Sequence, residues 1–439
     1  DVPNILFITT HDTGRFFGCY GIDTVHSPAI DGLAEEGVRF SNCFCTAPKC
    51  SPSRAAMMTG RWPQSNGVLG LTHSPHLWAY NDAERHLSHV LRDAGYDTHL
   101  FHFQHESLDV TRLGFNHYHA MPKPVGPGDG ARPDYFRPAG EVAAAFRQFC
   151  SDRTDESPWY AQLGFFETHG PLSFGGNTGD DSKGVTVLPQ YADNEENREF
   201  FRMLQGSVKQ VDEAVATILA ALEEKGWRDN TIVVFTVDHG ISYARAKGTL
   251  HELGLEVPLI VRWPAGGIKG GRSSNQLLSN IDLFPTLLDL VGIEVPENCE
   301  GKRFTAILRG TTETNGRESV FGEIQEALHD RSIRTERYKL IRHFAGYRPY
   351  TLPLDKSEMR HITGPFVEMF DLQKDPLEAD NIAECPEYSG QRRDLEKKLF
   401  DHLCSVGDPI LDGPVAMPFY AQAIEDYRQS LFEKQPGDR

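Results

Sequence analysis

Short apolar runs alternate with longer amphipathic stretches along most of this chain. Pro3 to Thr10 is mostly apolar and lacks a two-residue alternation, the pattern of a strand buried on both faces of a parallel sheet. Ser27-Pro28 then opens a helix, with serine as N-cap and proline at the first helical position, and Gly37 stops it. Val38 to Phe44 returns as a strand. A helical stretch from His86 to Ala94 ends at Gly95 and leads into a strand from Thr98 to Phe103. Glu141 to Cys150 predicts a helix ahead of the strand Trp159 to Phe166. Glu196 to Lys225 carries Leu204, Val208, Val211, Val215, Ile218 and Leu222 on one helical face. Two more apolar strands follow, Thr231 to Val237 and Val257 to Arg262. Strands alternating with helices predict an α/β fold around a largely parallel sheet.

The pattern changes after residue 315. Ser319 to Glu323, Ser332 to Arg334, Tyr338 to Arg342 and Val367 to Asp371 read as short strands separated by turns, with a helix over Gln391 to Leu403. The division predicts a catalytic α/β domain over residues 1–315 and a small α+β subdomain with an antiparallel sheet over 316–439. Met121 to Pro138, rich in Pro and Gly, and Phe174 to Asn194 read as long surface loops.

A net charge of −18 argues against nonspecific nucleic-acid binding, though a local cationic pocket for an anionic substrate remains compatible with it. No apolar run approaches the roughly 20 residues that cross a bilayer, so no membrane partner is expected. No signal peptide is visible. A complete chain would be cytoplasmic; one that has lost a signal peptide would be periplasmic or secreted. Eight cysteines do not make a disulfide scaffold, and Cys43, Cys45 and Cys50 lack the usual zinc spacing. The oligomeric state stays open.

Ligands of open α/β sheets gather at the carboxyl ends of the strands. Two of the predicted strands end in polar pairs, His11-Asp12 and Asp238-His239. Such carboxylates and imidazoles can hold a divalent cation; singly, each would be a helix cap or turn residue.

Cys50-Ser51-Pro52-Ser53-Arg54, followed by Met57-Met58-Thr59-Gly60-Arg61, resembles the signature of the type I sulfatases. The resemblance implies an alkaline-phosphatase-like fold and oxidation of Cys50 to formylglycine by a formylglycine-generating enzyme. The hydrated aldehyde would attack sulfur. Ser53 to Thr59 reads as a helix with Cys50 just outside its N-terminus, where an anion is favoured. The resemblance also implies one divalent cation, held by His11, Asp12, Cys50, Asp238 and His239. Calcium is expected, with manganese as the alternative because His11 stands where the family usually has an aspartate.

The resemblance runs further. Arg54 would hydrogen-bond the hydrated aldehyde or the metal-bound carboxylates. Lys247, in Lys247-Gly248-Thr249-Leu250-His251-Glu252, matches the family's sulfate-binding lysine. Thr168-His169-Gly170-Pro171 is similar to the family's Pro-His-x-Pro, which gives His169 the sulfate or the leaving-group oxygen. His169 or Lys247 would protonate the leaving group. Phe101-His102-Phe103-Gln104-His105 aligns with Gly-Lys-Trp-His; His105 becomes the base that accepts a proton from formylglycine, while Phe103 replaces a lysine. His102 or Arg132 would stand in for that lysine. Asn66 to Leu71 and His76 resemble the sulfamidases, which cleave N-sulfated glucosamine, and put His76 on the substrate side. Ser332 to Leu340 and Met369 to Pro376 resemble sulfatase C-terminal segments. The expected substrate is a sulfated small molecule or oligosaccharide, N- or O-sulfated. The alternatives are a phosphonate monoester or phosphodiester hydrolase of the same superfamily and a catalytically silent binder of sulfated glycans.

Overall fold

A computed structural model describes residues 2–122, 135–325, 329–344 and 366–432. The larger sheet contains β1 (Asn4–Thr10), β2 (Val38–Phe44), β3 (Asp97–His102), β4 (His117–His119), β5 (Trp159–Gly164), β6 (Thr231–Val237), β7 (Glu256–Arg262), β8 (Arg272–Ser274) and β9 (Leu278–Ser279). Its order is β4-β3-β5-β1-β6-β7-β2-β8, with β9 also paired to β2. The centre is parallel: β1 pairs β5 and β6, and β3 pairs β4 and β5.

Strand β7 is the exception, antiparallel to both β6 and β2. A parallel return needs a crossover of a dozen or more residues, usually a helix. The segment between β6 and β7 has only the four-residue helix Glu252–Leu255. It carries Asp238, His239 and Lys247, and the chain re-enters the sheet from the end at which it left. Gly14 shows the resulting crowding: a Cβ there would meet the Glu256 carbonyl at 3.3 Å.

Successive residues of a strand point to opposite faces. Accordingly Ile5 and Phe7 of β1 pack in a core with Met57, Met58, Leu87 and Leu283, whereas Leu6 and Ile8 pack with Val142, Phe146, Leu204 and Val211. The apolar stripe expected on the long helix faces the second of these cores in Glu195–Glu224. Helices therefore cover both faces of the sheet, which explains why its central strands are apolar without alternation.

The second sheet is antiparallel, in the order β10 (Ser319–Ile324), β11 (Asp330–Thr335), β12 (Tyr338–His343) and β13 (Val367–Asp371). The helix Ser389–Ser405 packs on it through Leu395, Leu399 and Leu403. Ion pairs fasten this sheet to the larger one: Lys339 Nζ lies 3.1 Å from Glu252 Oε1, and Arg334 Nη2 lies 3.2 Å from Glu252 Oε2. A helix at Pro418–Phe432, unforeseen in the sequence pattern, follows. Among the described residues no helix is long and apolar enough to cross a membrane.

Candidate active site

Parallel packing brings the carboxyl ends of β1, β3, β5 and β6 to one side of the sheet, and the predicted residues follow them. Asp12 (φ 43°) is held in the left-handed region. Its N–H and that of His239 donate to Asp238 Oδ1 at 3.1 and 2.9 Å. Asp238 Oδ2 accepts from Arg54 Nε at 3.1 Å, and the rest of that buried guanidinium donates to Thr9 Oγ1 and the Thr10 carbonyl, both at 3.1 Å. Ser53 Oγ donates to the Asp238 carbonyl, and Asn280 Nδ2 donates to Ser53 Oγ at 3.0 Å. The aspartate is thus fixed by Ser53 and Arg54 and by the backbone at two strand ends. Neighbouring His239, His11 and Arg54 hold its carboxyl well below the usual range against the opposing effect of burial.

Cys50 is the first residue of the helix Cys50–Thr59 rather than a residue outside it, a one-position difference; Lys49 is the N-cap. All ten residues of that helix are buried. The helix N-terminus therefore directs its free N–H groups toward the cluster, a setting that favours an anion. Cys50 Sγ lies 3.3 Å from His239 Nε2. Burial pushes the thiol up to about 12, so an unmodified Cys50 stays protonated near neutral pH and is a poor nucleophile.

Four of the five expected metal ligands, His11, Asp12, Cys50 and Asp238, present donor atoms all within 4.8 Å of one another. Two observations bear on whether they suit a cation. Both ring nitrogens of the wholly buried His11 lack an aligned hydrogen-bond partner, although Nδ1 lies 2.9 Å from Asp238 Oδ2. Burial and Arg54 lower His11 to about 3, so the ring is neutral with a lone pair to donate. His239 Nδ1 lies 2.9 Å from the Gly240 carbonyl, which assigns the proton to Nδ1 and leaves the Nε2 lone pair facing Asp12 Oδ1 at 3.1 Å. A proton or cation between those two atoms would relieve that opposition. The donor set therefore fits a divalent ion. Lys247 Nζ donates to both oxygens of Asp12, at 3.0 and 2.8 Å. Asp12 in turn holds the lysine well above its ordinary range.

His105 is half-buried. Its carbonyl accepts from Thr72 Oγ1 at 3.4 Å, and the Thr72 N–H donates to Ser51 Oγ at 3.2 Å, which places it beside the Cys50 turn. Its Nδ1 has no hydrogen-bond partner, and burial drives its pKa well below the ordinary value. His169 is half-buried, with its ring edge-on to His11 at 5.3 Å. Phe103 packs 4.4 Å from the His11 ring and 5.4 Å from the Arg54 guanidinium carbon. The two departures from the expected pattern, His11 for an acid and Phe103 for a base, are thus in contact, and together they leave the formal charge of the cluster unchanged.

The remaining candidates fall elsewhere. His102 Nδ1 is 2.9 Å from the Ala120 carbonyl, and its Nε2 accepts the Arg137 N–H at 3.3 Å, so backbone groups take both nitrogens and none is left for a ligand. His76 lines a cavity next to Lys247. Arg132 lies outside the described residues. Sequence reasoning assigned no role to Ser53, which bonds the Asp238 carbonyl, to Asn280, which bonds Ser53, to Thr9, which bonds Arg54, or to Glu106, which accepts the His105 N–H at 2.6 Å and Gln162 Nε2 at 3.1 Å. Adjacency to His105 was the only signal for Glu106.

A parallel-cored sheet with this carboxylate–imidazole cluster at its strand ends, plus an antiparallel C-terminal sheet, defines the alkaline-phosphatase-like class. Residues 3–293 match the family described as Sulfatase, and residues 245–404 match the one described as N-sulphoglucosamine sulphohydrolase, C-terminal. The chain belongs to the sulfatase family. It is 28% identical to an ulvan-active sulfatase of Formosa agariphila, over 95% of this chain and 83% of that protein. It is 23% identical to the human N-sulphoglucosamine sulphohydrolase, over 94% of this chain and 92% of that one. Among solved structures, a 2-O GAG sulfatase superposes with a TM-score of 0.74 at 23% identity, covering 94% of both chains.

Proposed function

We propose that the protein hydrolyses a sulfate ester or sulfamate on a sulfated sugar or glycosaminoglycan fragment, through Cys50 oxidised to formylglycine. The observation that carries this reading is the place of Cys50. It opens a buried helix, 3.3 Å from His239, among His11, Asp12 and Asp238. In that place the hydrated aldehyde would supply a nucleophilic oxygen at neutral pH, which the buried thiol does not.

The chain's own residues divide the remaining work. Arg54 holds Asp238 in place. Lys247, bonded to Asp12, brings a positive charge to the sulfate oxygens. His169, beside His11, or Lys247 itself protonates the departing oxygen or nitrogen. His105, neutral and with an unpartnered Nδ1, accepts the proton whose removal releases sulfate and regenerates the aldehyde. His11, Asp12, Asp238 and position 50, with His239 beside them, would hold one divalent cation, whose chemistry is to offset charge on the sulfate. The two carboxylates favour calcium; the imidazoles admit manganese.

The test begins with peptide mass spectrometry across Cys50 after co-expression with a formylglycine-generating enzyme. Conversion is expected, together with sulfate release from N-sulfoglucosamine or an O-sulfated fragment in preference to turnover of an aryl phosphodiester. A Cys50→Ser protein that turns over like the converted enzyme would sink the reading.

A further inference from the structure

A cavity of about 840 Å³ opens beside Lys247. It falls within the roughly 300–1,000 Å³ of pockets that enclose ligands of several rings. One wall is the loop after β6, with Tyr243 and Lys247; His76 adds to it. The opposite wall comes from the end of β10 and the chain's tail: Gln325, His329, Met417 and Tyr420. The cavity meets the reaction centre twice. Lys247 reaches Asp12, and His76 lies 5.8 Å from His73, whose ring stacks on His105 at 5.2 Å.

Its chemistry differs from that of the molecule around it. The protein carries 62 acidic against 44 basic residues, yet among the described residues lining the cavity none is acidic, while Lys49, Lys247, His76 and His329 supply cationic or hydrogen-donating groups. Aromatic faces sit beside them. Tyr243 is held by stacking on Phe200 at 4.0 Å and by its hydroxyl bond to Asn197. Tyr420 is 62% exposed and approachable. His329 is fixed at φ 51°, with Nδ1 2.6 Å from Gln325 Nε2. Amphipathic rings beside donors and no acid suit the apolar face of a sugar ring that bears an anion.

We propose that this cavity is the subsite for the sugar unit adjoining the sulfated one, and that it selects a unit carrying a second acidic group. His329 faces the acid and Tyr420 the ring. The proposal rests on the sulfatase reading and adds a residue-level source of specificity from the C-terminal sheet and tail.

The test uses the full, aldehyde-bearing enzyme and four substrates. These are a sulfated monosaccharide, the same sugar linked to a uronate, that disaccharide with its carboxylate reduced to an alcohol, and one with a second sulfate on the neighbouring unit. A kcat/KM at least tenfold higher for the acidic disaccharides than for the reduced one is expected; comparing the two acidic substrates tells carboxylate from sulfate. His329→Asn, which tolerates the left-handed backbone, should shrink the acidic-over-reduced ratio at least fivefold. Tyr420→Ala should shrink the disaccharide-over-monosaccharide ratio instead. Equal kcat/KM across the four substrates, or ratios that neither variant moves, overturns the subsite and leaves the sulfatase reading standing. No sulfate release from any of them overturns the sulfatase reading and the subsite with it.

Discussion

Among the described residues two histidine–aspartate clusters sit on the larger sheet, and they differ in how fully their donor atoms are paired. At the edge, Asp97 and His99 of β3 lie beside His117 and His119 of β4, with His99 and His117 directly paired across the strands. Asp97, His99 and His117 are close enough to hold an ion. Yet both Asp97 oxygens and both His99 nitrogens already have partners. The Asp97 oxygens meet His99 Nε2 at 2.9 Å, His117 Nε2 at 3.0 Å, Arg153 Nη1 at 2.8 Å and Asn116 Nδ2 at 3.2 Å, and the other His99 nitrogen meets His119 at 3.0 Å. At the strand ends, by contrast, both His11 nitrogens lack an aligned partner, and His239 Nε2 opposes a carboxylate. The same residue types are joined by hydrogen bonds at the edge and leave ring nitrogens without an aligned partner at the strand ends.

Removing the central acid of each cluster gives the sharpest contrast. Asp238→Ala frees Arg54 inside the protein and unfastens the backbone of Asp12 and His239. Stranding a buried charge costs about 3–5 kcal/mol, and sulfate release should fall at least a thousandfold. Asp97→Asn, measured in the same assay and by thermal unfolding, should lower turnover less than fivefold. A large loss of turnover in Asp97→Asn at intact stability would break the distinction.

Metal binding probes the same difference more directly. Equilibrium dialysis with calcium or manganese should give one ion per chain, and His11→Ala should weaken that binding at least tenfold. His117→Ala should leave the stoichiometry and affinity as they were. A second ion that disappears with His117→Ala would make the edge cluster a site after all.

The parts that local chemistry dictates were legible in the sequence. The unalternated apolar strands fix a sheet covered on both faces, and His11-Asp12 and Asp238-His239 fall at adjacent strand ends because β1 and β6 are parallel neighbours. What escaped depends on distant pairing. The antiparallel turn of β7 follows from the lack of a crossover helix, but its place between β6 and β2 is tertiary. His102 looked like a substrate contact until the fold gave its nitrogens to Ala120 and Arg137. The cavity wall at His329 and Tyr420 comes from a sheet and tail whose approach to Lys247 no local pattern encodes.

The smallest effect expected concerns pH. Burial lowers His99 to about 4, even though the Asp97 carboxylate acts in the opposite direction and His117 and His119 add to the lowering. In the unfolded chain the ring titrates near 6.5. Between those values the unfolded state binds the extra proton, so stability rises with pH across the window. The contribution is complete above about pH 6.5 and is lost as the pH falls through about 4, amounting to about 3 kcal/mol at most, at roughly 1.4 kcal/mol per unit. His11, lowered to about 3, adds a term of the same sign that continues to lower pH. Urea unfolding at pH 7 and pH 4.5 should therefore show His99→Gln losing about 2 kcal/mol less on acidification than the wild-type protein, because glutamine takes up no proton. Equal losses would mean that His99 is protonated within its network, its charge balanced by Asp97, and the edge cluster would then be an ion pair rather than a neutral hydrogen-bonded strut.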